Sequence, residues 1–449
     1  MFRAYKRVRM WPYYPDLLTG NVPRYTSYPT AVEFHEGVGG TALLKALDAI
    51  GPDEPISLYV HIPYCQQICW YCGCNTGAAS KTQRLTSYLE ALEAEIALIA
   101  GKLSGRGRVK NIAFGGGSPN AIAPVEFVRL VDRIFTTFSC DRPNISVELD
   151  PRIFNPEWAA TLAHCGVSRV SLGVQSFSAD IQRAIGRIQP EQMIKDCMKQ
   201  LRDVGIDAVN FDLMYGLPGQ SIEDLSETLD TAIALQPSRI ALFGYAHMPQ
   251  LFPRQRRIDD SNLPGSAERF AMAEMGYRQL TWAGYKAIGF DHFALPKDSL
   301  SLAAAHGTLH RNFQGYTDDD CPIVIGLGAS AISNFPDAII QNEKNPGRYR
   351  MLALAAQPTA SRGLSRTADD QQRARLIEKL LCTGNTGPIS ARIFKTAKTA
   401  LQIFVDRGLA RVESDAIIIE NNGLAYSRMI ASVLDKYRQV GSRKFSHAV

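Results

Sequence analysis

Six short apolar runs, at residues 56–62, 109–114, 145–149, 167–174, 208–214 and 239–245, constrain the fold of this chain more than any other feature. Apolar strands of this length are typically buried on both faces, as in parallel sheets whose crossovers are helices. The sequence therefore predicts an α/β fold of repeated βα units. A helix is expected over residues 82–100, where Leu85, Leu89, Leu92, Ile96 and Ile99 form one stripe. Asn155-Pro156 reads as an N-cap followed by proline at the first helical position.

Polar residues and glycines gather at or just past the carboxyl ends of these runs. They are Tyr59 with a cysteine-rich loop, Gly115-Gly116-Gly117-Ser118, Glu148 and Asp150, Gln175, Asp212, and Tyr245-Ala246-His247. In a parallel βα barrel that edge carries the active site. One such coincidence is weak, because loops begin at strand ends, but six in register predict a site.

The loop after the first run is Cys65-Gln-Gln-Ile-Cys69-Trp-Tyr-Cys72-Gly-Cys74. Closely spaced thiolates are the usual protein ligands of soft metals and iron-sulfur clusters. A zinc ribbon needs a second Cys-x-x-Cys downstream, and this chain has none. Three ligands on one loop suit three irons of a 4Fe-4S cube and leave the fourth iron open to a substrate or cofactor. A zinc knuckle of all four thiols, or plain buried cysteines, is the bland alternative. Cys74, two residues after Cys72, is poorly placed to complete the cube and reads as spare.

At 449 residues the chain is long enough for two to three domains of about 150 residues. Hydrophobic content of 45% with 21% charged residues is ordinary globular composition, and a net charge of +5 does not by itself argue for nucleic acid. No apolar run approaches the roughly 18 residues of a membrane span. Arg3, Lys6, Arg7 and Arg9 read as a solvated basic terminus, not a leader, so the cytoplasm is expected. Nine cysteines, five of them scattered at Cys140, Cys165, Cys197, Cys321 and Cys382, make no disulfide framework and fit a reducing compartment. Past residue 357 the pattern turns helical, over residues 373–381 and 390–405, with a possible hairpin at 409–412 and 416–419. A winged helix is conceivable there, but the positive charge is not concentrated on it, and no nucleic-acid partner is expected.

Tyr59-Val-His-Ile-Pro-Tyr-Cys65 running into Cys69 and Cys72 is similar to the signature of the radical S-adenosylmethionine (SAM) enzymes, and the glycine run looks like their methionine-binding motif. Pro23-Arg-Tyr-Thr-Ser-Tyr-Pro29, Cys72-Gly-Cys74-Asn75, Phe290-Asp-His-Phe293 and Leu309-His-Arg-Asn-Phe-Gln-Gly-Tyr316 narrow the likeness. Together they resemble the oxygen-independent coproporphyrinogen III oxidases over residues 23–333, the C-terminal region matching more loosely.

The resemblance implies a partial (β/α)6 barrel at residues 51–355, an N-terminal arm and helix at 1–50, and a small, mainly helical C-terminal domain at 356–449. It implies a 4Fe-4S cluster on Cys65, Cys69 and Cys72, with a first SAM beside Tyr59, Gly116, Glu148 and Ile332. A second SAM would lie beside Tyr71, Gly117, Ser118, Gln175, Arg187, Asp212 and Ala246. Ser118 and Tyr71 stand where the family often has threonine and phenylalanine, and they keep the donor and the ring. The implied reaction belongs to haem (porphyrin) biosynthesis. A 5′-deoxyadenosyl radical made at the cluster abstracts hydrogen from the β-carbons of two propionates of coproporphyrinogen III, each of which then loses its carboxylate as carbon dioxide and one electron to give a vinyl group of protoporphyrinogen IX. The electron donor and acceptor are unidentified, and a monomer is expected. The chief rival is a haem chaperone that keeps the cluster loop; a radical enzyme acting on haem itself and a zinc-stapled structural protein are further alternatives.

Residue by residue, plain readings stand beside these. His61 reads as a hydrogen-bonded core histidine, Glu148 and Asp150 as carboxylates capping the following turn, and Arg254-Gln-Arg-Arg257 as a solvated face. Tyr25 and Tyr28 would pack the arm against the barrel, although an arm carrying Arg24 could also fold over an anionic substrate.

Overall fold

In the computed structural model, which describes residues 10–79 and 82–438, six parallel strands occupy the places the apolar runs predict. They are β1 (Pro55–Ile62), β2 (Arg108–Gly116), β3 (Cys140–Leu149), β4 (Val167–Gln175), β5 (Ala208–Tyr215) and β6 (Arg239–Gly244), lying side by side in chain order. The basic residues Arg3, Lys6, Arg7 and Arg9 lie outside the described residues.

The sheet is wider than the sequence foretells. Beyond β6 it gains the antiparallel strands β7 (Lys286–Ile288) and β8 (His292–Ala294), in the order β6-β8-β7. On the other flank β9 (Ile323–Leu327) pairs parallel to β1. The strands β10 (Ile332–Asn334), β11 (Ala338–Asn342) and β12 (Ala360–Ser365) then continue antiparallel. The result is an open, twelve-stranded sheet with β12 and β7 at its edges. β12 carries the sheet past residue 355, the expected end of the barrel, into the stretch beyond 357 that the sequence reads as helical.

Local signals explain the helices. The helix Thr82–Leu103 buries Leu89, Leu92, Ile96 and Ile99, with Leu85 packed at the margin. Each such burial contributes on the order of 2 kcal/mol relative to exposure. Asn155 caps the helix Pro156–His164, its Oδ1 accepting the Trp158 N–H at 2.9 Å. Within β1 the period-two alternation turns Leu58, Val60 and Ile62 into the main core and Ser57, Tyr59 and His61 into the barrel lumen.

The two ends of the chain form a second core. Trp11, Leu17, Val22, Tyr25 and Tyr28 of the arm pack against Leu376, Leu380, Ile393, Leu401 and Tyr426. Tyr25 Oη donates to Asp435 at 3.0 Å, and Tyr28 Oη accepts the Lys436 N–H at 3.1 Å. The arm tyrosines thus face the C-terminal segment rather than the barrel wall alone. That segment contains the helices Ala368–Thr383 and Ala391–Asp406 and the hairpin Ala410–Glu413 and Ala416–Ile419. The hairpin turns through Ser414 and Asp415, both at positive φ, as a tight two-residue turn requires. Among the described residues no helix is long and apolar enough to cross a membrane.

Candidate active site

The lumen of the barrel holds a cavity of about 860 Å³. Its floor, at the amino ends of the strands, is closed by polar pairs. Asp319 accepts from Ser57 at 2.6 Å and from Asn111 at 2.8 Å, and Asp298 binds Arg239 at 2.6 Å and Arg169 at 3.2 Å. Asp319, Asp320 and Cys321 are the one group among the described residues whose donor atoms lie mutually within 4.8 Å, and its best-placed carboxylate is already spent on Ser57 and Asn111.

At the carboxyl edge the cysteine loop and the glycine run are sewn together. Gly117 N–H donates to Ile62 O and Ser118 N–H to Tyr64 O, both at 2.8 Å. A Cβ at Gly117 would lie 2.5 Å from the Tyr64 backbone, and one at Gly116, where φ is +111°, would lie 2.5 Å from the His61 ring. Only glycine permits this approach. The Ser118 hydroxyl is engaged by Asn120 at 2.7 Å.

The thiols face positive charge. Cys69 Sγ is buried and receives Arg187 Nη1 at 3.2 Å and Arg152 Nη2 at 3.3 Å. Both arginines also bind Asp150, at 3.3 and 2.6 Å. Burial opposes the Asp150 charge, but Arg187 and then Arg152 hold its carboxyl below the usual range. Hydrogen bonding from the Cys74 thiol and N–H draws the Cys72 thiol down to about 6, against the effect of burial. Burial pushes Cys65 up to about 12, reinforced by Cys72 and Cys69. Cys74 itself is exposed and lines the cavity. The sulfurs of Cys65, Cys69 and Cys72 do not form a mutually close triplet, whereas a tetrahedral zinc with bonds of about 2.3 Å holds sulfurs about 3.8 Å apart. Three soft sulfur ligands on one loop, bordered by cations and glycine backbone, fit a polynuclear cluster.

The wall beside them carries Glu148. Its half-buried carboxylate accepts Gly116 N–H at 3.2 Å and Gln314 Nε2 at 3.4 Å. Burial, and then the nearby Asp212, push it up to about 6. Asp212 accepts from Ser171 and Asn210 at 2.9 Å each, and burial raises its carboxyl as well. Tyr59 stacks edge-on against Phe313, with centroids 4.4 Å apart, and its hydroxyl meets His61 Nδ1 at 3.0 Å. Burial depresses His61 to about 4, so it is neutral near pH 7 and behaves as a core histidine that borders the cavity.

Of the residues the sequence singles out, Tyr59, Gly116, Glu148 and Asp212 line this cavity. Gly117, Ser118 and Arg187 stand behind the cysteine loop, and Ile332 lies in β10. Gln175 closes β4 at a positive φ. Tyr71 and Ala246 are tied to each other through Gln255, whose Nε2 donates to both carbonyls at 2.8 and 3.1 Å. That link corrects the reading of residues 254–257 as a solvated face. Gln255 is buried and Arg254 grips Thr76 at 2.7 Å, leaving only Arg256 and Arg257 exposed. The plain reading of Asp150 holds, since it caps the turn through Arg152 N–H at 3.1 Å, while Glu148 is turned to the cavity. Arg152, Phe313 and Gln314 carry no role in the sequence reading. The last two sit in a stretch singled out only for its resemblance.

A model of the radical SAM superfamily matches residues 59–232. Among curated proteins, the oxygen-independent coproporphyrinogen III oxidases of Bradyrhizobium diazoefficiens and Pseudomonas aeruginosa are each 37% identical to this chain over 95% of it, and 97% and 96% of their own lengths are covered. A solved structure of the Escherichia coli coproporphyrinogen III oxidase, described as a radical SAM enzyme, superposes with a TM-score of 0.89 at 35% identity, covering 96% of this chain and 100% of the other. With that likeness running through barrel, arm and C-terminal segment alike, the chain belongs to the oxygen-independent coproporphyrinogen III oxidases of the radical SAM superfamily.

Proposed function

We propose that the protein oxidatively decarboxylates two propionates of coproporphyrinogen III to vinyl groups, giving protoporphyrinogen IX for haem biosynthesis. A 4Fe-4S cluster and SAM, when bound, supply a carbon-centred radical as the oxidant. At each propionate one hydrogen atom would leave the β-carbon for that radical, one electron would pass from the substrate to an external acceptor, and carbon dioxide would leave as the double bond forms. Cys65, Cys69 and Cys72 hold the cluster. Tyr59, Gly116, Glu148 and Ile332 hold one SAM. Tyr71, Gly117, Ser118, Gln175, Arg187, Asp212 and Ala246 hold a second. The electron donor and acceptor are separate molecules, and the enzyme works as a cytoplasmic monomer with its thiols reduced.

One observation carries this reading. Three stretches remote in sequence, Tyr59 in β1, Glu148 in β3 and Phe313-Gln314 in a hairpin, close over one cavity beside the cysteine loop. The Glu148 carboxylate is an acceptor suited to a ribose hydroxyl or an ammonium group. Anaerobic turnover of reconstituted protein with coproporphyrinogen III, SAM, a low-potential reductant and cell extract as acceptor should yield protoporphyrinogen and 5′-deoxyadenosine together. Deoxyadenosine without the porphyrinogen product would reassign the substrate. Neither product from a protein with an intact cluster would favour a haem chaperone.

Glu148 also carries a pH prediction. Its folded-state value of about 6 lies above the ordinary 4.5, so the folded protein holds this proton more tightly than the unfolded chain does. The stability gained from protonation is fully present below about 4.5 and is lost as pH rises through about 6. Glu148→Gln should therefore raise the melting temperature of the cluster-free protein near pH 7.5 but not near pH 4, while weakening SAM binding near pH 7.5. Equal melting shifts at both pH values would refute the assignment.

A further inference from the structure

Four arginines from four separate segments converge beside the mouth of the cavity. Arg24, from the arm, donates to Gly244 O at the end of β6 at 3.1 Å, its guanidinium 5.0 Å from the Phe243 ring. Arg311, from the hairpin His310–Asn312 and Gly315–Thr317, lies 4.1 Å over Tyr316 and donates to Arg24 O at 2.9 Å. Arg428, from the C-terminal segment, lies 5.7 Å from Phe290, a ring it shares with Arg311 at 5.3 Å. Arg269 donates to Tyr245 O at 2.8 Å. Phe243 and Tyr316 both line the cavity, so Arg24 and Arg311 stand against its wall, and Arg428 joins them through the shared Phe290 ring.

Among the described residues, the carboxylates beside Arg311 are already engaged. Asp291 is the facing carboxylate, and it is shared with His292 Nδ1 at 2.7 Å. Glu378 is occupied by His310 at 3.2 Å and by the Arg311 backbone N–H at 3.0 Å. Arg311 Nη1 is buried with no hydrogen-bond partner, a costly state for a charged donor. Burial, and then Arg24, lower Arg428 to about 10, as expected where guanidinium groups crowd together. Planar guanidinium groups held against aromatic faces are preorganised for two-point binding of a carboxylate.

We infer that Arg24, Arg311 and Arg428, supported by Arg269, form a cradle for a carboxylate of the tetrapyrrole other than the one reacting, and so select which propionate reaches the Glu148 side of the cavity. This rests on the function proposed above. The substrate is a tetra-acid that loses only two carboxylates, so at each turnover it still presents a non-reacting one. Arg311 and Gln314 are three residues apart, at most about 11 Å along the chain, and Gln314 touches Glu148. One hairpin therefore spans the anchoring end and the reacting end of a single bound macrocycle.

The test compares coproporphyrin III with its tetramethyl ester, which keeps the ring but lacks the carboxylates, by fluorescence quenching on the reconstituted protein. The wild type should prefer the acid, and Arg311→Gln and Arg428→Gln should weaken acid binding about tenfold to a hundredfold, the scale of a charged hydrogen bond, while leaving the ester unchanged. Arg428→Lys should restore part of the acid's advantage. If the arginines only clamp the arm and hairpin to the barrel, both ligands weaken alike, and the cradle is wrong. The same follows if the wild type binds acid and ester equally. A wild type that binds neither, yet still cleaves SAM, overturns the coproporphyrinogen reading itself and the cradle with it.

Discussion

Cys69→Ser is expected to leave a folded protein that retains no cluster iron after anaerobic reconstitution and forms 5′-deoxyadenosine only at background. Cys69 is the thiol the fold has prepared most thoroughly. It is buried, and two guanidinium groups converge on its sulfur from residues 83 and 118 positions away in the chain. A serine hydroxyl is a hard, protonated ligand that neither binds iron as a thiolate does nor balances those cations. Cys74→Ser should behave differently. Cys74 is exposed to the cavity and serves Cys72 through its thiol and through its backbone N–H at 3.3 Å; serine keeps the N–H and offers a hydroxyl donor in place of the thiol. Iron and sulfide content should therefore stay near the wild-type value in Cys74→Ser. Loss of iron from Cys74→Ser, or retention of a full cluster in Cys69→Ser, would reverse the ligand assignment.

These two cysteines also mark how far the sequence carries. The spacing of Cys65, Cys69 and Cys72 is local and legible, as are the six apolar runs that become β1–β6, because each run carries its own buried apolar side chains and needs no partner to be recognised. The start of β3 is not legible. Asp141-Arg142-Pro143-Asn144 fall outside the expected run at 145–149, yet these residues lie in the strand, which is bulged opposite Val109 and Asn111. β9 has the same all-buried apolar character as β1, but it follows a long stretch of helix and hairpin, and nothing local announces that it returns to pair with β1. The contact of Tyr14 N–H with Tyr426 Oη at 2.8 Å joins residues 412 positions apart, and the convergence of Arg152, Arg187 and Asp150 behind Cys69 is equally non-local. Periodicity reads what one segment buries. It is blind to which distant cation will face which thiol.

Arg187→Leu should destabilise the cluster-free protein by about 3–5 kcal/mol in anaerobic denaturant unfolding near pH 7.5, the scale of breaking a buried ion pair. Arg187 is 6% exposed, and its guanidinium is spent on Gly173 O at 2.7 Å, Gln189 Oε1 at 3.1 Å, Asp150 at 3.3 Å and Cys69 Sγ at 3.2 Å. Leucine fills some of the volume but leaves the Gly173 carbonyl with one long side-chain contact, from Gln189 Nε2 at 3.3 Å, and the Asp150 carboxylate with Arg152 as its one cation. The pH dependence separates the charge effect from packing. The Asp150 carboxyl is depressed below its ordinary 3.8, so its contribution is present above that value and is lost as pH falls through the lower, folded-state one. Removing Arg187 shrinks that depression, so the difference between variant and wild type should narrow as pH falls below about 4 if the pair is responsible, and stay constant if only packing is lost. Arg187→Lys keeps the charge but not the fork, and should recover less than half the loss, because one ammonium cannot reach a carbonyl, a carboxylate and a cysteine sulfur that the planar group meets together. A loss below about 1 kcal/mol in Arg187→Leu would place the residue with the surface ion pairs, and would leave its ties to Cys69 and Asp150 without structural consequence.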